Sequence, residues 1–434
     1  MPRELIQINT RTRVTRILSI FFILLGAFWS ISAFRWYIGN TMAEYFNSGQ
    51  NDLELARIAR TLSPRDPLTH WRLGQVSQKN LPLDQSADAL AEYERAVALS
   101  PNDYRLWMSL GIAREQASEL EKAEPALRQA VALAPAYAYP HWYLGNLLLR
   151  SGRYDEAFGE LRAASEADSE GLRPQLFNLV VAVYGDDLPS AIKAVGTNPV
   201  ARASFAMYLV NAQKFDDGMT VWNTLSKEEK RSNKSVGESI VAALVSNIRY
   251  HSAMAVWNDI TAASAYKVEE GKFLDGSFED SISGSSTIFG WQVRNVPQMQ
   301  IGIDPETSHS GQRSLRITFQ VRTQKEPLSI SQPVIVAPNA TYDFECFVKT
   351  AKLQSGGPPV VQVFDAGNGS LLAASEAAAS GNTDWTRIAL PIKTGEKTEA
   401  VRVTIVRTSC EEDTQLCPIF GTVWYDDFSF KRQN

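Results

Sequence analysis

The spacing of apolar and polar positions changes near residue 268. Before that point apolar residues recur three and four apart among Ala, Leu, Glu and Arg, which predicts helices with one buried face. After it Val, Ile, Thr, Ser, Gly and Pro dominate, and apolar positions alternate with polar ones, which predicts strands. A third pattern precedes both. Ile17 to Phe34 is an uncharged apolar run of 18 residues that Trp36, Tyr37 and Ile38 extend, close to the length that crosses a bilayer. The patterning therefore predicts a multidomain α + β chain. Residues 1–40 form a basic tail and transmembrane helix, residues 41–268 a helical solenoid, and residues 269–434 an antiparallel β-sandwich.

Within the helical region a single pattern recurs at a period near 34 residues. Trp107, Leu110, Gly111, Ala123, Leu127, Ala130 and Pro135 align with His141, Leu144, Gly145, Ala157, Leu161, Ala164 and Ser169. Self-similarity at this period marks stacked helical hairpins, in which each unit buries its apolar face only against its neighbours. Leu73, Gly74, Ala89, Tyr93, Ala96 and Pro101 repeat the pattern upstream with three extra residues around Leu81-Pro82-Leu83. Segments beginning at Lys214 and Arg249 are degenerate copies of the one at Arg153. At least three clear repeats and two degenerate ones are expected, with Asn51 to Pro67 supplying a lone helix ahead of them.

The segment from Tyr104 to Ala136 resembles a tetratricopeptide repeat. The resemblance implies a first helix bearing Trp, Leu and Gly and a second bearing the alanines, with Pro at its end. In this packing Gly111 lets the helices approach closely, and Ala123 and Ala130 keep the crossing tight. Such arrays hold protein partners. His70 and His141 occupy equivalent first-helix positions about two repeats apart, so packing accounts for them. His251 and His309 are equally isolated, and four scattered histidines make no metal or catalytic cluster.

From Phe273 onwards, alternating segments broken by Gly, Pro, Asn and Asp predict about eight strands of a jelly roll. Gly276 to Glu279, Gly290-Trp291, Ser310 to Leu315, Asp384-Trp385 and Asp426-Asp427 resemble motifs of the carbohydrate-binding modules appended to bacterial xylanases and glucanases. That resemblance implies a structural calcium held by Glu279 and Asp427, from the first and last strands, together with backbone carbonyls; hard oxygen ligands suit calcium. It also implies that Trp291, Trp385 and Trp424 pack the core rather than form a sugar-stacking platform. Strand parity puts Gln362 and Phe364, which alternate with Val361 and Val363, and Arg402, which alternates with Val401 and Val403, on an outward face as glycan-contacting candidates. Asp426 and Asp427, as successive strand residues, are expected on opposite faces.

Charge and cysteine content narrow the setting. The net charge is -5 and the two signs are interspersed, so no basic face suited to nucleic acid is implied. Arg3, Arg11, Arg13 and Arg16 precede the apolar run with only Glu4 opposing, which keeps the N-terminus cytoplasmic and the bulk of the chain outside the cytoplasm. A cleaved leader is the competing reading, since Ser30-Ile31-Ser32 offers small residues; the run exceeds the 7–15 residues of a typical leader core and favours a retained anchor. Cys410 and Cys417 bracket a short acidic loop and are expected to form a disulfide in an oxidising compartment. Cys346 alternates with Tyr342, Phe344 and Val348 and is expected to be buried and inert. Asn339 and Asn368 head glycosylation sequons that matter only in a host that uses them.

These readings describe a non-catalytic scaffold, anchored by residues 17–38 in a bacterial inner membrane. Its repeats bind a protein and its jelly roll binds polysaccharide, in the making or export of surface polysaccharide, by analogy of domain content. Calcium is the one cofactor implied. A spacer without sugar binding is the alternative. A glycoside-active enzyme is a further one, but no carboxylate pair, nucleophile elbow, phosphate loop or zinc motif marks a reaction centre.

Overall fold

The computed structural model describes residues 12–45, 52–80, 86–261, 267–280, 288–293, 299–319, 328–408, 410 and 417–433. Arg3, Glu4 and Arg11 of the basic tail lie outside these residues, as do the Leu81-Pro82-Leu83 insertion and the acidic loop between the two cysteines. The chain divides into two compact units, residues 1–196 and 197–434.

The first unit opens with α1 (Arg13–Tyr45), about 50 Å long at 1.5 Å per residue. It is long and apolar enough to cross a membrane, and the 18 residues of its apolar window are 0 % buried. The helix continues past the expected end of the anchor because its last turns have a packing partner. Ser63 Oγ donates to the carbonyl of Trp36 (3.1 Å), and Asn40 Nδ2 donates to Asp66 Oδ2 (2.8 Å). Gly39 is required there, since a Cβ would lie 2.9 Å from the carbonyl oxygen of Ala59.

Helix α2 (Asp52–Leu62) is the expected lone helix, and α3 (Pro67–Asn80) with α4 (Ser86–Leu99) begins the hairpins. The series continues with α5 (Tyr104–Gln116) and α6 (Leu120–Leu133), α7 (Ala138–Arg150) and α8 (Tyr154–Ala167), then α9 (Arg173–Tyr184) and α10 (Leu188–Val195). Ala123, Ala130, Ala157 and Ala164 are each 0 % exposed, and a Cβ on Gly111 would sit 2.6 Å from Leu127 Cγ. These contacts explain why small residues recur at the period. The α9–α10 hairpin escaped the repeat pattern, because α10 has only 8 residues. His70 bonds to Glu92 and to the Pro64 carbonyl, and His141 bonds to Glu160 (2.6 Å) and the Pro135 carbonyl (2.9 Å). Each histidine ties its first helix to the second helix and to the preceding turn, the packing role expected of it.

The second unit begins with α11 (Pro199–Asn211), α12 (Phe215–Asn223), the short α13 (Lys227–Ser232), α14 (Lys234–Ser246) and α15 (Tyr250–Ile260). Strands follow: β1 (Gln292–Val293), β2 (Met299–Asp304), β3 (Ser314–Phe319), β4 (Ile330–Ile335), β5 (Thr341–Ser355), β6 (Pro359–Asp365), β7 (Leu371–Ala374), β8 (Gly381–Lys393), β9 (Ala400–Arg407) and β10 (Ile419–Arg432). They form two antiparallel five-stranded sheets, β1-β4-β9-β6-β7 and β2-β3-β10-β5-β8. This is a sandwich with two short edge strands beyond the eight or so expected.

One apolar cluster fills the space between the sheets, with Val361, Val363, Val401, Val403 and Ile405 from the first and Ile317, Phe344, Cys346, Val423 and Tyr425 from the second. Cys346 is free and 0 % exposed, and burial pushes its thiol well above the ordinary range. Gly276 to Glu279, expected on the first strand, lie instead in a turn and irregular segment ahead of β1, and Gly276 lies against β10. A Cβ there would stand 2.3 Å from the carbonyl oxygen of Phe428, whose N–H donates to the Gly276 carbonyl (2.9 Å).

Gly276→Ala should therefore destabilise the sandwich by about 1–3 kcal/mol, read as a lower urea midpoint. Gly302→Ala in β2, where a Cβ meets nothing within 4 Å, should leave the midpoint near wild type.

Candidate functional site

Strand alternation sends one row of side chains outward from the second sheet. In β5, Tyr342, Phe344, Cys346 and Val348 are buried, while Glu345, Phe347 and Lys349 face out. The pairing register aligns Arg316 of β3, Trp424 of β10 and Lys349 of β5 in one row, and Phe347 with Arg387 of β8 in the next. These cations each have a carboxylate. Arg316 lies 3.5 Å from Asp304, Lys349 lies 3.0 Å from Asp384, and Arg387 lies 2.6 Å from Glu345. Trp424 Nε1 donates to Asp304 Oδ2 (2.8 Å), and the Lys349 ammonium lies 6.0 Å from the centre of the Trp385 ring. Burial pushes the Asp304 carboxyl up, but the Trp424 N–H, the Glu306 N–H and the Arg316 charge together hold it below the usual range. Exposed pairs of this kind add little to stability, because water screens them. Their effect is to fix polar groups beside aromatic ones.

The segment between β2 and β3 adds a further ring to this face. Asp426, 0 % exposed, accepts the N–H groups of His309 (2.7 Å) and Ser310 (3.2 Å) on one oxygen and of Asp427 (2.8 Å) on the other. Asp427 accepts from His309 Nδ1 and from Ser310 Oγ, both at 2.7 Å. Thus held, the His309 ring stacks on Phe347 with centres 3.6 Å apart at 14°, and its centre lies 5.7 Å from that of Trp385 at 69°. The expectation that Asp426 and Asp427 point to opposite faces fails. The β10–β5 register shifts between Asp426 and Ser429, and Asp427 has φ +51°, so the bulge turns both carboxylates onto the same segment.

Glu279 meets the same segment further along, its Oε1 accepting the N–H groups of Gln312 (2.8 Å) and Arg313 (3.3 Å). Glu279 and Asp427 therefore both contact the β2–β3 segment, each engaged with N–H or O–H donors. Among the described residues no group of three or more His, Cys, Asp and Glu side chains gathers in a form that would hold a metal ion. Cys410 and Cys417 are joined as a disulfide, with Cα atoms 5.7 Å apart.

The three motif tryptophans separate. Trp291 is 4 % exposed, packed on Phe273, Phe278 and Phe428, and donates to the Asp275 carbonyl (2.9 Å). Trp385 and Trp424, expected in the core, are half-buried on the outward face. Gln362, Phe364 and Arg402 do share the outward face of the first sheet, and Phe364 is paired with Arg402. That face meets α15. The Arg402 guanidinium donates to the Tyr250 hydroxyl, the His251 N–H donates to Glu399 (3.1 Å), and the Trp257 and Phe289 ring centres lie 6.0 Å apart at 67°. Parity assigned the faces, but only the fold showed which face carries a helix.

A tetratricopeptide repeat family model matches residues 83–138 and 119–171. The helical region carries tetratricopeptide repeats. Comparison with curated proteins finds no match. Among solved structures the chain is similar to MamA at 18% identity, over 40% of this chain and 87% of that one, with a TM-score of 0.29. It is also similar to the module TmCBM61, solved in complex with β-1,4-galactotriose, at 15% identity over 38% of this chain and 100% of that one, with a TM-score of 0.27. A CBM4 module is similar at 12% identity over 37% and 100%, with a TM-score of 0.29. In the helical region Arg72, Gln75 and Lys79 of α3, Tyr93 of α4 and Ser109 and Ile112 of α5 line a cavity of about 340 Å³.

The alternation that buries Tyr342, Phe344, Cys346 and Val348 carries the signal for an outward row at residues 345, 347 and 349. His309 has no such signal, because its place depends on amides that reach Asp426 from 117 residues away in sequence. Burial, followed by the charge of Asp427, raises the Asp426 carboxyl above its ordinary value. The folded state therefore holds the proton more tightly than the unfolded chain does, and this contribution to stability grows as pH falls through the raised value towards the unfolded one. Asp426→Asn should cost about 1–3 kcal/mol at pH 7, since one oxygen facing backbone N–H groups is replaced. The wild-type advantage in urea titrations should widen between pH 7 and pH 4.

Proposed function

We propose that this protein is a non-catalytic, membrane-anchored binding and scaffolding protein of a bacterial envelope. Its tetratricopeptide repeats hold a protein partner, and its sandwich binds glycan in the assembly or export of surface polysaccharide. The observation that carries the glycan reading is the outward face of β2-β3-β10-β5-β8. Trp424, Trp385 and the His309–Phe347 stack lie among polar groups held by carboxylates. Aromatic faces pack on the apolar faces of pyranose rings, and fixed charged groups offer hydrogen bonds to the hydroxyls around them. This face suits a sugar better than the one bearing Gln362, Phe364 and Arg402, because Arg402 is bonded to Tyr250.

The anchor reading rests on α1, with Arg13 and Arg16 at its cytoplasmic end, and the disulfide supports an oxidising compartment for the rest. A structural calcium between Glu279 and Asp427 belongs to the same proposal. It would require the His309 and Ser310 donors to leave Asp427. A spacer role without sugar binding is the alternative.

Full-length protein in detergent micelles, titrated with a panel of bacterial and plant polysaccharides, tests the glycan reading. Saturable binding is expected, and Trp385→Ala or Trp424→Ala should each weaken it by about 1–2 kcal/mol, roughly 5- to 30-fold. A folded protein that binds none of the panel returns the spacer reading. Calcium should raise the melting temperature of the wild type but not of Glu279→Gln; equal shifts would remove the metal. Protease added to spheroplasts should digest the repeats, whereas protection would place them in the cytoplasm.

A further inference from the structure

The second unit contains a cavity of about 750 Å³ lined by none of the residues of the aromatic face. The turn after β6 and the β8–β9 loop line it, and Ile248, from the turn between α14 and α15, lines it as well. Its floor is rigid. Asp365, 6 % exposed, accepts the N–H groups of Gly367 (2.7 Å) and Asn368 (3.2 Å) on one oxygen and the Thr398 hydroxyl on the other. Thr398 Oγ1 in turn accepts the Gly395 N–H (3.0 Å). Both oxygens of Asp365 are thus engaged by the protein, and the carboxylate acts as a brace.

The remaining lining is rich in donors. Lys393 and Lys397 are its cations, set against the carboxylates of Glu396 and the braced Asp365, and Ser370 contributes a hydroxyl. Asn368 uses its Oδ1 to accept the Ser370 N–H (2.8 Å), which leaves its amide NH₂ as a donor. Ile248 and Leu372 supply apolar surface. The volume falls within the range of about 300–1,000 Å³ typical of small-molecule sites.

Ile248 is an unusual occupant of its position. The hairpin turns of α5–α6, α7–α8, α11–α12 and α14–α15 each place one residue at positive φ: Ser118 (61°), Gly152 (76°), Gln213 (61°) and Ile248 (63°). A β-branched residue is the least suited to that conformation. Its side chain reaches Gly367, where a Cβ would come within 3.0 Å of Ile248 Cγ2. The strained turn therefore supplies a wall that the sandwich alone lacks.

We propose that this cavity is a second saccharide site, composite between the last hairpin and the sandwich loops, and that it takes an acidic sugar residue. The ligand carboxylate lies between Lys393 and Lys397, the hydroxyls meet Asn368, Ser370 and Glu396, and the apolar ring face rests on Ile248 and Leu372. The inference deepens the glycan-binding reading and rests on it, but it uses none of the residues of the aromatic face.

The test titrates full-length protein in micelles with glucuronate and galacturonate, using glucose and galactose as neutral counterparts and glutarate as a carboxylate without a ring. Calorimetry and saturation-transfer NMR are the readouts. A uronate should bind at least tenfold more tightly than its neutral counterpart and than glutarate. Lys393→Gln with Lys397→Gln should abolish that preference. Ile248→Gly relaxes the backbone, so the fold is retained, and it should weaken uronate binding about threefold or more. Trp385→Ala should leave uronate binding unchanged.

Equal affinity for charged and neutral sugars, full competition by glutarate, or indifference to the lysine substitutions would overturn the proposal. Polysaccharide binding that depends on Trp385, without any uronate binding, would remove this cavity and leave the aromatic face standing. Uronate binding without polysaccharide binding would do the reverse.

Discussion

A buried carboxylate that receives the backbone amides of a turn organises the sandwich at each place where its surface acquires chemistry. Asp426 does this for the β2–β3 segment, Asp365 for the turn after β6, and Asp304 for the residues just beyond β2. The physical reason is common to all three. A turn packed against a sheet carries N–H groups that lose water, and an orphaned buried amide costs about 1–3 kcal/mol. A carboxylate satisfies two or three of them at once and fixes the turn in one conformation. The aromatic face and the loop cavity inherit their geometry from these braces.

The helical region solves a different packing problem with smaller residues. Its hairpins close through alanines and glycines that let second helices approach first helices, and through imidazoles that bridge two helices and a turn. Its last hairpins also behave differently from the rest. In the second unit α15 lies against the sandwich through Tyr250, His251 and Trp257, and the contacts group α11 to α15 with the strands. A change of secondary structure along the chain is thus not where the packing changes. Edges of compact units follow buried contacts, whereas sequence patterning follows backbone conformation.

This division explains which regions of the chain were legible. Helix and strand periods depend on neighbours within a few residues, and so do the repeat positions of Gly111, Gly145 and the alanines; the sequence by itself determined a long apolar first helix, stacked hairpins and an antiparallel sandwich. It also determined which residues share a face, as with Val361 and Val363 against Gln362 and Phe364. Only the tertiary structure decided what each face meets. It put α15 on one sheet and left Trp424 and Trp385 on the outside of the other. A single bulge brought Asp427 to the side of Asp426, and amides 117 positions away carried His309 onto Phe347. Those outcomes rest on contacts between residues far apart in the chain, and no local period records them.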